Sequence, residues 1–292
     1  MKQYLDTVRE VLTHGTRKEN RTGVDTLSTF NINYEIDLRE GFPLLTTKEI
    51  SWRNIVIENL WFLSGDTHIG LLRKHGCRFW DPWANDEGMV PSAYGNFWRH
   101  FPIHRNGEAA FSDQIRWVVD ELKRNPMSRR LVISAWSPGN AHTSALPPCH
   151  CLWLLNVQLD SQGEPYLCLH LTQRSCDVAL GIPYNIAGYS LLLELMARFA
   201  GIPAGLFAHT LIDAHIYTAN ADESMSEYDH VPGLRAQLQR PPRQLPNLDI
   251  DASITSLDDI DTLLEADTEE ILGKFRLTGY DPHPAIKFKV AV

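Results

Sequence analysis

Cys151-Leu152-Trp153-Leu154-Leu155-Asn156-Val157-Gln158-Leu159, then Asp160-Ser161-Gln162-Gly163, then Tyr166-Leu167-Cys168-Leu169-His170-Leu171-Thr172: two apolar-rich runs of strand length flank a polar segment ending in glycine. This order predicts a hairpin. Upstream, Leu131 to Trp136 has the character of another strand, and over residues 27–38 Phe30, Ile32, Tyr34, Ile36 and Leu38 alternate with polar residues, as in a half-buried strand. Helices are expected on both sides. Tyr4, Leu5, Val8, Val11 and Leu12 share one helical face that ends at Gly15. Residues 51–64 (Trp52, Ile55, Val56, Ile57, Leu60, Trp61, Phe62, Leu63) are apolar nearly all round, which marks a buried helix. A helix starts at Ser112 or Asp113 and closes at Pro126, and Asn185 opens a long apolar helix that Gly201 ends. Residues 81–110 have a loop-like composition, and the Asp- and Glu-dense segment 248–271 has that of a solvated helix or loop. No internal repeat or linker divides the chain. The expectation is one α+β domain over residues 1–292, with mixed strands packed under buried helices.

Composition narrows the function. Net charge of −9 argues against broad nucleic-acid or membrane-surface binding, although a few arginines converging locally still make an anion site. No basic-then-apolar signal pattern opens the sequence and no apolar run reaches membrane-spanning length. The cysteines (Cys77, Cys149, Cys151, Cys168, Cys176) are odd in number and lack a disulfide-framework spacing, so a cytosolic protein with reduced thiols is expected.

Three clusters carry chemistry. In Pro147-Pro148-Cys149-His150 a thiol between a rigid turn and a strand is a candidate nucleophile, though a Cys-His pair alone is more often structural. Cys149 and Cys151 are two apart, but no further ligand pair at zinc spacing accompanies them. Gln173-Arg174-Ser175-Cys176-Asp177, Arg129-Arg130 and Arg21-Thr22-Gly23 offer guanidinium groups shaped to grip a phosphate, with Ser175 as a hydroxyl donor; each taken alone reads as solvated surface. An arginine near a cysteine also lowers the thiol pKa. Glu58 has Ile55, Trp61 and Phe62 as helical neighbours, so it is either a carboxyl raised by burial for proton transfer or a salt-bridged, snorkelling glutamate.

Together these segments resemble the thymidylate synthase family along nearly the whole chain. The resemblance rests on Arg21–Gly23, Gly41–Lys48, Trp61–Thr67, Tyr94-Gly95, Ser128–Arg130, Pro148–His150, Gln173–Asp177, Gly181–Ala187, Asp213–Tyr217 and Gly279–Pro284, in order and at compatible spacing.

The resemblance implies that Cys149 adds to C6 of a uracil nucleotide, whose C5 then attacks the one-carbon unit of the cosubstrate 5,10-methylenetetrahydrofolate, yielding dTMP and dihydrofolate. Tyr94 would help remove the C5 proton, and Glu58 would organise proton transfer around O4 and the folate. Asn185 would read the base: its amide accepts from N3–H while donating to O4. Arg21, Arg174 and Ser175, with Gln173 and Asp177 beside them, would hold the nucleotide from one subunit of a homodimer whose sheets meet; Arg129 and Arg130 would come from the other. His215 and Tyr217 are similar to the pair that holds the sugar 3′-hydroxyl. Trp80, Trp83, Leu146, His150, Asp177, Gly181, Tyr184 and the tail Val290-Ala291-Val292 would meet the folate. No metal or flavin is called for.

The sequence departs from the family pattern at Ser51, Phe97, Ser137, Leu154 and Ile212, none of them a core catalytic position. Three alternatives follow: a nucleotide hydroxymethylase, in which water traps the one-carbon intermediate; a cysteine hydrolase or acyltransferase using Cys149 and His150; and a non-catalytic nucleotide-binding homologue.

Overall fold

The computed structural model describes residues 1–141, 144 and 146–291. The helices are α1 (Lys2–His14), α2 (Trp52–Ser64), α3 (Gly70–Lys74), α4 (Tyr94–Arg99), α5 (Gln114–Arg124), α6 (Pro138–Ala141), α7 (Gly181–Ala200), α8 (Val231–Leu238), α9 (Leu257–Leu263) and α10 (Thr268–Gly273). The strands are β1 (Thr16–Lys18), β2 (Thr26–Asp37), β3 (Phe101–Arg105), β4 (Glu108–Ser112), β5 (Val132–Ser134), β6 (His150–Leu159), β7 (Pro165–Gln173), β8 (Cys176–Asp177), β9 (Ala204–Tyr217), β10 (Asn247–Ile250) and β11 (Phe275–Thr278).

The expected hairpin is β6–β7, antiparallel, with Trp153 opposite Leu171 and Leu155 opposite Leu169. Its connection is closed by Asp160, whose Oδ1 accepts from the N–H groups of Gln162 (2.8 Å) and Glu164 (2.9 Å), and by Gly163 at φ 86°. The hairpin sits in a mixed sheet of order β1-β2-β9-β7-β6-β5, with β8 added beside β9. β7 and β8 run parallel to β9, and the other pairs are antiparallel.

One sheet face is covered and the other is not. Phe207, His209, Leu211, Leu169, Leu171, Trp153 and Leu155 face a core roofed by α2 and α7, both buried along most of their length. Close approach between helices depends on two glycines: a Cβ at Gly188 would lie 3.0 Å from Asn59 Nδ2, and one at Gly95 would lie 2.2 Å from the Phe62 carbonyl oxygen. The second contact seats α4, and therefore Tyr94, against α2. On the uncovered face Leu152, Leu154, Cys168, His170, Thr172, Ala208 and Thr210 remain half-buried, and Phe30 is 77% exposed.

Three expectations need correction. Residues 81–110 are not simply loop: they hold α4, β3 and the start of β4. The long helix begins at Gly181, four residues before Asn185, with Pro183 accommodated in its first turn. The acidic segment is docked rather than solvated: Ile254, Leu257, Ile260, Leu263, Leu264 and Ile271 are buried, and α9 lies against α2. Arg99 ties it down, donating to Asp261 Oδ1 (2.9 Å), Asp113 Oδ2 (2.8 Å) and the Leu63 carbonyl at the end of α2. Arg116 reaches Asp258 Oδ1 at 2.6 Å, and His75 meets Thr268 Oγ1 (2.9 Å) and the Leu264 carbonyl (3.0 Å). Arg99→Ala strands two carboxylates and a carbonyl in a largely covered setting and is expected to cost roughly 2–4 kcal/mol. Urea unfolding checks this; a loss below about 0.5 kcal/mol, typical of a surface substitution, would show the network to be ornamental.

Candidate active site

At the start of β6, Cys149 is half-buried and its thiol faces the guanidinium of Arg174, with Nη2 3.7 Å from Sγ. Arg174 is itself fixed: its Nε and Nη2 donate to the Pro148 (2.9 Å) and Pro147 (2.7 Å) carbonyls, its backbone N–H donates to the Cys149 carbonyl (2.9 Å), and it lies over the Trp136 ring. Burial nevertheless pushes the Cys149 thiol up, against the pull of Arg174, the Tyr94 hydrogen bond and Arg21. The expected arginine effect is present in sign but outweighed by desolvation, so the sulfur rests as a thiol.

Tyr94 Oη accepts from the Cys149 N–H at 3.2 Å, and its ring stacks on His150, centroids 4.5 Å apart and planes 9° off parallel. Burial holds the Tyr94 phenol well above its ordinary pKa, so it stays protonated. His150 is pushed down to about 3 by burial, with an opposing hydrogen bond to Asn185. An imidazole whose basicity burial has lowered this far is a poor proton acceptor for Cys149, and the sulfur's charged neighbour is Arg174. A cysteine hydrolase would need a stronger base than His150 offers here. Among the described residues no group of three or more His, Cys, Asp or Glu is placed to hold a metal ion, which leaves Cys149 and Cys151 without further ligands.

Asn185 Oδ1 accepts from Gln173 Nε2 at 3.1 Å, and Gly181 leaves space above it, since a Cβ there would lie 3.4 Å from Oδ1. Asp177 Oδ1 accepts from Ala179 N (2.9 Å) and Leu180 N (3.0 Å), fixing the turn into α7. On β9, His215 pairs with Asp177 of β8, and its ring lies edge-on to Tyr217 at 5.5 Å. Burial opposes charging His215, but its hydrogen bond to Asp213, with the Asp177 charge, raises its pKa overall. Burial pushes Tyr217 up to about 12.

Glu58 keeps part of its surface open to the cleft yet is enclosed by protein. Burial pushes its carboxyl up to about 7, against the 2.7 Å hydrogen bond that Trp80 Nε1 donates to Oε1. Of the two readings of Glu58, the structure has the buried carboxyl and no ion pair among the described residues. Trp80 lies 5.7 Å from Tyr94 and 6.0 Å from Trp83, ring to ring, and Phe79 packs edge-on to Tyr184 at 4.9 Å. These rings make an aromatic wall suited to a flat heterocycle, and Leu146 is half-buried.

Not every expected residue joins this cluster. Arg21 is exposed at its rim and acts on the thiol only through its charge. Ser175 contributes its carbonyl, which accepts from Gln173. Arg129 and Arg130 are exposed, in a separate concavity lined with Arg124, Met127 and Glu121. Ala291 is half-buried, and the tail is held by His230, whose Nε2 lies 2.9 Å from the Lys289 carbonyl; Val292 is outside the described residues. Sequence reasoning passed over Lys48. It is buried against the Ala179 carbonyl and the Phe288 ring, and desolvation brings it down to about 8. Flanked by Thr46, Thr47 and Glu49, it carries no local signal that sets it apart from a surface lysine.

The chain belongs to the thymidylate synthase family. The family model described as thymidylate synthase matches residues 2–292. A curated protein named thymidylate synthase from Haloferax volcanii is 41% identical over 346 aligned positions, covering 98% of this chain and 96% of that protein.

Proposed function

We propose that the protein methylates dUMP to dTMP with 5,10-methylenetetrahydrofolate as donor. The observation that carries this is the unbroken chain of contacts from Arg174 through Cys149, Tyr94 and His150 to Asn185, and from Tyr94 through Trp80 to Glu58. Arg174 and Arg21 hold the phosphate, and His215 and Tyr217 the 3′-hydroxyl. Asn185 matches the base edge, Oδ1 accepting from N3–H and Nδ2 donating to O4. Cys149 gives up its thiol proton to solvent water, and the thiolate, stabilised by Arg174, adds to C6 while Glu58, protonated below about 7, delivers a proton toward O4. Tyr94, kept as a phenol, positions water at the C5 proton rather than acting as a phenolate. Bound folate supplies the carbon and the hydride against Trp80, Trp83, Leu146, Asp177, Gly181 and Tyr184, with Ala291 in the tail closing over it. No helix among the described residues is long and apolar enough to cross a membrane. The free cysteines fit a reducing compartment, and a cytoplasmic enzyme is our reading.

The uncovered sheet face, with exposed Phe30 and the Leu152–Leu154 stripe, supports a homodimer joined through the sheets. That arrangement gives the exposed Arg129 and Arg130 a role on the partner's phosphate. Incubation with dUMP and methylenetetrahydrofolate tests the reaction: dTMP and dihydrofolate should appear in equal amounts. Tetrahydrofolate with 5-hydroxymethyl-dUMP would make it a hydroxymethylase instead.

Glu58 sets a pH dependence. A carboxyl raised to about 7 is protonated below that pH and loses its proton above it. The limb of kcat/KM on the alkaline side should therefore start near pH 7, and Glu58→Gln should remove it while lowering kcat about 10²-fold. A limb that persists in the variant belongs to another group. The same shift affects folding, since the native state binds the proton more tightly. The resulting stability is full below the ordinary glutamate pKa and is lost as pH rises through about 7.

A further inference from the structure

Four side chains run in series from β2 to the amide of Asn185. Tyr34 Oη lies 2.8 Å from His209 Nδ1, His209 Nε2 lies 3.0 Å from Gln173 Oε1, and Gln173 Nε2 lies 3.1 Å from Asn185 Oδ1 and 3.0 Å from the Ser175 carbonyl. One group without a choice sets the direction of every bond. A backbone carbonyl only accepts, so Gln173 turns its NH2 toward Ser175 and its Oε1 toward His209. Oε1 only accepts, so His209 carries its proton on Nε2. Burial holds this imidazole well below its ordinary pKa; it is neutral, and its Nδ1 accepts from the Tyr34 hydroxyl. At the other end the second hydrogen of the Gln173 NH2 goes to Asn185 Oδ1.

We propose that Tyr34 and His209 are positioning residues for base selection: their hydrogen-bond polarity, passed through Gln173, fixes Asn185 in the orientation that takes uracil and refuses cytosine. The inference rests on the reading of Asn185 as the base reader. Uracil presents N3–H beside the O4 acceptor, whereas cytosine presents an N3 acceptor beside an N4 donor. Turning the Asn185 amide over would exchange the two preferences. In this chain it would bring Nδ2 against Gln173 Nε2, donor against donor. Turning Gln173 as well would set Oε1 against the Ser175 carbonyl and NH2 against the His209 Nε2–H. Moving the His209 proton to Nδ1 would deprive the Tyr34 hydroxyl hydrogen of its acceptor. Each escape leaves a covered polar group mispaired.

The test compares dUMP and dCMP binding by calorimetry in the full-length wild type, Tyr34→Phe, His209→Phe and His209→Gln. His209→Phe keeps the ring that packs beside Phe207 but removes both nitrogens; His209→Gln restores a donor. Preference for dUMP over dCMP should fall about tenfold in His209→Phe and about threefold in Tyr34→Phe, and recover in His209→Gln. Equal weakening of both nucleotides, with an unchanged ratio, would reduce the pair to packing and overturn the proposal. Should His209→Phe not fold, Tyr34→Phe decides, together with the ring-nitrogen NMR spectrum of His209 in the wild type. A proton on Nδ1 there would also overturn it. A wild type that shows no preference for dUMP refutes the base-reading role of Asn185 itself, a result distinct from variants that keep a wild-type preference.

Discussion

Cys149→Ser is expected to lower turnover of dUMP by about four orders of magnitude, the scale seen when an enzyme loses its nucleophile. Oxygen replaces sulfur with little change in size, so the Tyr94 bond to the backbone N–H and the Arg174 bonds to Pro147 and Pro148 survive. A serine hydroxyl, however, is far less acidic than a thiol and has no strong base beside it, because burial makes His150 only weakly basic and its ring stacks on Tyr94. Binding of dUMP should stay within about threefold of wild type, since sulfur contributes to bond formation rather than to the ground-state grip. Rapid-quench turnover and calorimetry on the same preparations separate the two. Retention of more than about 1% of wild-type kcat would remove Cys149 from the nucleophile's role. Mass spectrometry adds an independent readout: a 5-fluoro-dUMP adduct, dependent on folate, should map to Cys149 and not to half-buried Cys151 or Cys168.

What was legible in the sequence was what local periodicity encodes. The β6–β7 hairpin followed from two strand-like runs around a glycine-bearing turn, and α2 from a stretch with no polar face. Glu58 was legible for the same reason, because Ile55, Trp61 and Phe62, three of its helical neighbours, are apolar. Its bond to Trp80, 22 residues away, was not, since no local pattern records which indole will reach a carboxylate. α4 spans six residues, too short for a helical period to declare itself. β9 carries His209 on its covered face and breaks its pairing with β2 near Asn31, which adopts φ 61°. Both features blur the alternation that would have announced the longest strand of the sheet.

Charge was the weaker guide. The density of Asp and Glu over residues 248–271 suggested solvation, yet Ile254, Leu257, Ile260 and Leu263 recur at three-residue intervals and face the core. The acidic side chains between them have arginines waiting in the fold. The Cys149 environment shows the same limit from the other side. The sign of the arginine effect on the thiol was readable, but the larger opposing effect of burial depends on how tightly Trp136, Tyr94 and the Pro147-Pro148 turn close around it. Arg129 and Arg130 were legible only by resemblance. Nothing in their local pattern distinguishes them from solvated surface, and within one chain they are exposed.

That exposure makes the second large effect a test of two things at once. In Arg129→Ala/Arg130→Ala, each phosphate should lose two charge-assisted contacts, together worth roughly 3–5 kcal/mol, and kcat/KM for dUMP should fall about 10³-fold. The double variant should fold normally, because neither side chain is covered within its own chain. The sharper experiment mixes it with Cys149→Ser under conditions that exchange subunits. If the arginines serve their own chain's site, every site in a mixed dimer keeps one lesion and the mixture stays inactive. If they serve the partner's site, each mixed dimer has one site with both lesions and one with neither. Half of the dimers are mixed and half of their sites intact, so activity should return to about one quarter of wild type. An inactive mixture with proven subunit exchange would place the arginines outside the partner's site. The sheet contact and the phosphate grip are thus read from one titration, whose amplitude depends on which chain each arginine serves.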